Sequence, residues 1–173
     1  MIGGNRHYAH GLFEFPEPYD FETPNEPLLS LPGRALLPYN VVRSSLARAM
    51  EPHQETMTSL ASLFDCPMYH VLSPPPLRDG DLILKHVHRG DDSSLEAMTV
   101  APAEFRMKVY NLQNKIVVEQ CEQLGLKVIN PPSETLDSDG FLRPEFMGFG
   151  ATHGNEAYGR FLAKRLMELN NDC

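Results

Sequence analysis

Pro102-Ala103-Glu104-Phe105-Arg106-Met107-Lys108-Val109-Tyr110 opens the stretch that decides the fold, which runs on through Leu124-Gly125-Leu126-Lys127-Val128-Ile129 to Pro131-Pro132. Phe105, Val109, Leu112, Ile116, Val117, Cys121 and Leu124 recur at helical spacing and predict one long helix with a single buried stripe. Pro102 suits the first turn, where its missing N–H costs nothing. Gly125 suits the stop. Leu126-Lys127-Val128-Ile129 then reads as a short strand, closed by two prolines that cannot donate to a ladder. A helix leading at once into a buried strand is the unit of an α/β layer fold with parallel strands.

The same alternation appears upstream. Asn40 begins a helix with Val42, Leu46, Ala49 and Met50 on one face, stopped before Pro52. A second helix carries Met57, Leu60, Ala61 and Phe64. Met68-Tyr69-His70-Val71-Leu72 reads as a buried strand that Ser73-Pro74-Pro75-Pro76 must leave. Leu82-Ile83-Leu84 reads as a helix turn within a polar stretch. Phe13, Phe15, Tyr19 and Phe21 alternate with polar residues, but Pro16 and Pro18 argue against a ladder, so the stretch is expected to be an ordered aromatic excursion. Met1-Ile2 reads as the last step of a strand turning at Gly3-Gly4, which implies strand sequence upstream. In parallel sheets, sites form beyond the carboxyl ends of strands. Gly4-Asn5, Ser73 to Pro76, and the loop from Pro131 should therefore converge on one face.

The chain of 173 residues suits a single domain, 1–173, with a real core. Its net charge of -8 offers no basic surplus for a phosphate backbone, so nucleic acid is excluded as a partner. No apolar run is long enough for a membrane span, and the start has no basic region followed by an apolar one, so no signal peptide is read. Cys66, Cys121 and Cys173 are odd in number and far apart, which suits reduced thiols and a cytoplasmic location. Neither Cys121 nor Cys173 has a nearby His or a Cys-x-x-Cys context that would make it a nucleophile.

Two positions carry candidate chemistry. His153 lies in Gly150-Ala151-Thr152-His153-Gly154-Asn155, just before a helix for which Asn155 is a good cap and Tyr158, Phe161, Leu162, Leu166 and Leu169 form the stripe. A histidine held at a fixed distance from a clamped helix end is placed as a general base is; taken alone, the better reading is a loop histidine that merely makes a hydrogen bond. Asn5, beside Gly3 and Gly4, offers an amide donor to a developing oxyanion; taken alone, Gly-Asn is ordinary turn chemistry. His86 and His88 with Asp91 and Asp92 have a zinc-like His-x-His spacing only if they lie on a strand, and the stretch reads instead as a solvated loop. Arg6, His7 and His10 read as surface polarity rather than an anion site. No metal and no cofactor is expected.

Gly4-Asn5-Arg6-His7 followed by Pro18-Tyr19-Asp20-Phe21 resembles the third block of the SGNH (GDSL-like) hydrolases, in a bacterial branch reading roughly Gly-Asn-x-His and then Pro-Phe-Asp-Phe. Thr152-His153-Gly154-Asn155 with Ala157-Tyr158-Gly159 resembles the last block of the same branch. The triple proline, Arg106-Met107-Lys108 and Asp139-Gly140-Phe141-Leu142 follow that branch in order, so the likeness covers nearly the whole chain. The resemblance implies a flavodoxin-like three-layer fold, a parallel sheet with helices on both faces, here short at its N-terminus. It implies an esterase or acylhydrolase acting on a small-molecule ester. Asn5 would be the oxyanion-hole side chain and His153 the general base.

The chain departs from that pattern in two places. Gly150 stands where the branch has the aspartate of Asp-x-x-His; Asp137 and Asp139 are near enough in sequence to replace the lost carboxylate, but nothing in their spacing shows it. No serine stands in a Gly-Asp-Ser or Gly-Asn-Ser context; Ser30, Ser44, Ser45, Ser59 and Ser62 read as loop or helix-surface residues. The nucleophile block would precede residue 1. Such a domain is expected to have little or no activity alone, or to be a catalytically dead module binding a ligand or partner through the same face. A sheet lacking a strand would also present an edge for self-association.

Overall fold

The computed structural model describes residues 7–24, 31–87 and 99–171. They form a mixed α/β structure of five helices and short strands in small parallel sheets. In chain order these are β1 (Tyr19–Phe21), β2 (Ala35–Leu37), α1 (Tyr39–Ala49), α2 (Glu51–Leu63), β3 (Tyr69–Val71), α3 (Gly80–Val87), α4 (Ala103–Leu124), β4 (Lys127–Ile129) and α5 (Glu156–Asn171). A 3-10 turn at His7–Gly11 precedes them.

The stretch around α4 folds as its pattern dictates. The helix starts after Pro102 and ends at Gly125, whose left-handed backbone caps it. Phe105, Val109, Leu112, Ile116, Val117 and Cys121 are buried along one face. The chain then enters β4, which pairs in parallel with β3 in the register Tyr69–Lys127, His70–Val128 and Val71–Ile129. Although α4 is long, charged residues such as Glu104, Arg106, Lys108 and Lys115 punctuate it. No helix among the described residues is long and apolar enough to cross a membrane.

The aromatic excursion differs from expectation. Tyr19–Phe21 is a strand, paired in parallel with Ala35–Leu37. The prolines do not break this ladder because Pro18 lies just ahead of it and contributes only its carbonyl, which accepts from the Ala35 N–H at 3.1 Å. The described strands therefore make two separate two-stranded sheets, β1–β2 and β3–β4. The apolar piece at Leu82-Ile83-Leu84 grows into the full helix α3, with Ile83 wholly buried. Phe64 lies past the end of α2 with an extended backbone and is exposed, not part of its buried stripe.

Buried polar side chains tie the irregular segments to α4. The Arg106 guanidinium is buried without a carboxylate partner among the described residues and instead donates to the carbonyls of Ala101, Leu77 and Arg78. Burial pushes its pKa down, with Glu104 and Asp79 acting against that. Lys108 reaches Asp20 on β1, with Nζ 2.8 and 3.0 Å from the two carboxylate oxygens. Asp20 also accepts from the N–H groups of Phe21 and Leu31, each at 2.9 Å. Burial would raise the Asp20 pKa, but the hydrogen bonds from Lys108 and those two N–H groups win and hold it below the usual range.

Removing one partner of such a pair leaves the other charge buried and uncompensated. Lys108→Ala should therefore cost about 3 kcal/mol in denaturant unfolding near neutral pH. Because the folded pKa of Asp20 is depressed, the stabilisation is present above the unfolded carboxyl pKa and is lost as pH falls through the folded one. The difference between wild type and variant should accordingly shrink toward acid pH. A difference that is independent of pH would contradict this account.

Candidate functional site

The loop that carries His153 is pinned from both sides. The Gly148 N–H donates to the His153 carbonyl at 2.7 Å, and the Asn155 N–H donates to the Phe146 carbonyl at 2.8 Å. Asn155 caps α5 as its sequence position predicts: its Oδ1 accepts from the Tyr158 N–H at 3.1 Å. Its Nδ2 donates to the Glu145 carbonyl at 2.7 Å, so one side chain serves the helix end and the preceding loop together. Behind the loop, Tyr158 is buried, and Leu162, Leu166 and Leu169 pack on Tyr69, Val71 and Ile129 of the β3–β4 sheet.

This packing brings His153 to the carboxyl end of β3. Val71 to Pro74 and Thr152, His153, Gly154, Tyr158 and Leu162 line one cleft of about 280 Å³. The loops leaving β3 and β4 also meet, since Leu77 bridges Leu142 and the Leu142 N–H donates to the Pro76 carbonyl at 3.1 Å. Two tyrosines fix the β3 end from below: Tyr110 donates its hydroxyl to the Ser73 carbonyl and Tyr8 to the Pro74 carbonyl, each at 2.9 Å. Asn5 lies outside the described residues. The described chain begins at His7, and Tyr8 reaches the cleft wall through its hydroxyl.

Gly150 has a left-handed backbone with φ of 85°. A Cβ built there would stand 3.2 Å from Nδ1 of His153. The position three residues before the histidine thus faces the ring nitrogen that an orienting carboxylate would address. Asp137 and Asp139 are turned elsewhere: Arg78 holds them through Nε at 3.0 Å and Nη2 at 2.5 Å, respectively. Arg78 in turn lies over the Phe141 ring, 4.3 Å from its centre.

Other candidates resolve differently. His86 lies on α3 rather than on a strand, so the one-faced His-x-His geometry does not arise there; His88, Asp91 and Asp92 lie outside the described residues. Among the described residues no three His, Cys, Asp or Glu side chains converge as a ligand set. Cys121 is fully buried, and burial first, then Glu122, pushes its thiol up to about 11, which disfavours a thiolate. Cys173 lies outside the described residues.

Sequence reading missed a histidine pair. His70, at the centre of β3, is wholly buried, and its Nε2 is 3.0 Å from Nε2 of His53 on α2. The ring centres are 5.3 Å apart. The nitrogens therefore lie near the line joining the rings and point at each other, the geometry of a shared N–H···N hydrogen bond. Burial, and then His53, pushes His70 down to about 4, so His70 is neutral at ordinary pH, and burial, then His7, pushes His53 down as well. Nothing in the sequence spacing pairs position 53 with position 70.

No family model, curated protein or solved structure matches the chain.

Asn155→Ala removes both the cap and the tie to Glu145. The expected cost is about 1 kcal/mol, read as a lower Tm. It should be accompanied by amide shifts in NMR spectra at Gly148 and His153. An unchanged Tm with shifts confined to α5 would mean that the cap does not hold the histidine loop.

Proposed function

We propose that this chain carries the base-bearing part of an SGNH-type ester hydrolase, with His153 as general base and Asn5 as oxyanion donor. The observation that carries the reading is the approach of Gly150 to His153 Nδ1. An Asp-x-x-His pair needs its first side chain to start beside that nitrogen, because a carboxylate there fixes the tautomer and orientation of the imidazole. The 3.2 Å separation from a built Cβ supplies that proximity. The cleft at the carboxyl end of β3, where His153 stands, supports it as well. The flavodoxin-like three-layer sheet over one domain, 1–173, belongs to this same reading. So do a cytoplasmic setting, a small-molecule ester as substrate, and self-association through an open sheet edge.

The chain has no serine in the family's nucleophile context, so the proposed activity of the chain alone is little or none. Glycine at position 150 favours a second reading, a module that binds a ligand or partner through the same face without turning it over. Its backbone is left-handed, a conformation glycine adopts freely and an aspartate less so.

Incubation with p-nitrophenyl acetate and with a serine-reactive phosphonate tests the first reading. The expected result is no stoichiometric adduct by mass spectrometry and hydrolysis no faster than for a His153→Ala variant. Stoichiometric labelling of a serine in this chain would overturn it.

A further inference from the structure

The His53–His70 pair is a buried titratable cluster that the reading above does not use. It joins α2 to β3, and α2 is otherwise lightly held: Met57 is its buried residue, with Leu60 and Ala61 partly buried beside it. Two neutral imidazoles carry one hydrogen each. With the Nε2 atoms 3.0 Å apart and in line, one hydrogen lies between them. The other sits on an Nδ1. Nδ1 of His70 is buried and has no hydrogen-bond partner among the described residues. A buried N–H without an acceptor is costly and rare in folded proteins. His70 therefore carries its hydrogen on Nε2 and donates it. The partly exposed His53 accepts at Nε2 and carries its own hydrogen on Nδ1.

We propose that this pair is an acid-sensitive latch, which holds α2 against β3 while both rings are neutral and releases the helix when the pair takes up a proton. The reason is a count of hydrogens. A protonated pair has three hydrogens on four ring nitrogens. If the bond between the rings survives, one hydrogen lies in it and each Nδ1 takes one, so Nδ1 of His70 gains an N–H with no acceptor. If Nδ1 of His70 stays bare, both Nε2 atoms carry a hydrogen, and the two N–H groups meet head-on. Release of α2 opens both rings to water, where neither cost arises. The latch does not rest on the ester reading.

Among the described residues no anion faces the pair to offset the added charge. His7, on the 3-10 turn, acts on His53, and His10 acts on His7, so the neighbouring charges are positive when they form. On α2 itself, Glu51 and Glu55 are exposed. On α1, Arg48 is exposed and Arg43 is paired with Glu119 of α4. Of the buried titratable groups of α4, Arg106 donates to backbone carbonyls, Tyr110 donates to Ser73, and Cys121 stays a neutral thiol. Lys127 of β4 lies over the Tyr69 ring, on the opposite face of the sheet from His70.

Burial lowers both histidines, so the closed form binds fewer protons than the released one. The hold on α2 is therefore full above the ordinary histidine value of 6.5. It weakens as pH falls from there to about 4, where His70 takes its proton even in the closed form.

The test is hydrogen exchange of the full chain, read by mass spectrometry near pH 7 and near pH 5 and corrected for the intrinsic exchange rate, together with NMR of the ring nitrogens near pH 7. In wild type, protection of α2 should fall about tenfold at the lower pH while that of α4 holds. The double variant His53→Gln/His70→Phe, which leaves no titrating ring in the latch, should lose this drop. NMR should find the hydrogen of His70 on Nε2 and that of His53 on Nδ1. Equal protection of α2 at the two pH values, a drop shared by α4, or a drop retained in the double variant would each overturn the latch. So would a hydrogen on Nδ1 of His70 near pH 7, a result read on wild type whether or not the variant folds.

Discussion

The short clasp between residues 145–148 and 153–155 is the constraint on which the site depends. Its two backbone hydrogen bonds and the forked amide of Asn155 set where α5 begins. Because α5 packs on β3 and β4 through Leu162, Leu166 and Leu169, fixing its start also fixes His153 against the end of β3. A histidine on an exposed loop would otherwise sample many positions. Here the helix end, the loop and the strand end position one another.

The second constraint is α4, which acts as the post for segments with little secondary structure of their own. It holds the 77–78 connection and Ala101 through Arg106, β1 through Lys108, the 3-10 turn through Gln113, and the Ser73 wall through Tyr110. In each case a polar group on the buried or half-buried part of α4 meets a backbone group or charge that would otherwise be left unsatisfied. This is why a chain rich in prolines can hold long loops in place without a broad sheet to hang them on. The two walls of the cleft are thus supported separately, one by α4 and the other by the clasp.

The parts of this architecture set by local rules were legible in the sequence. The stripe on α4, its stop at Gly125 and the cap at Asn155 each depend on residues within a few positions of one another. The meeting of the loops that leave β3 and β4, at Pro76, Leu77 and Leu142, followed from parallel topology. The strand at Tyr19–Phe21 was not legible, because its partner is supplied by residues 35–37 and the preceding prolines read as a break. The His53–His70 pair and the Ser73–Tyr158 cleft were hidden for a like reason, since each joins elements whose packing no periodicity encodes. Asn5 lies outside the described residues, so the oxyanion half of the proposed site rests on sequence resemblance.

The central claim is that position 150 faces the Nδ1 edge of His153. It is tested most directly by titrating the His153 imidazole by NMR in wild type, Gly150→Asp and Gly150→Asn. A carboxylate beside Nδ1 stabilises the imidazolium, so the aspartate variant should titrate about one unit higher than the other two. The asparagine variant controls for the left-handed backbone and for the few tenths of an ångström by which the ring must yield. An aspartate variant that titrates together with the asparagine variant would mean the two side chains do not meet, and the hydrolase geometry would be lost.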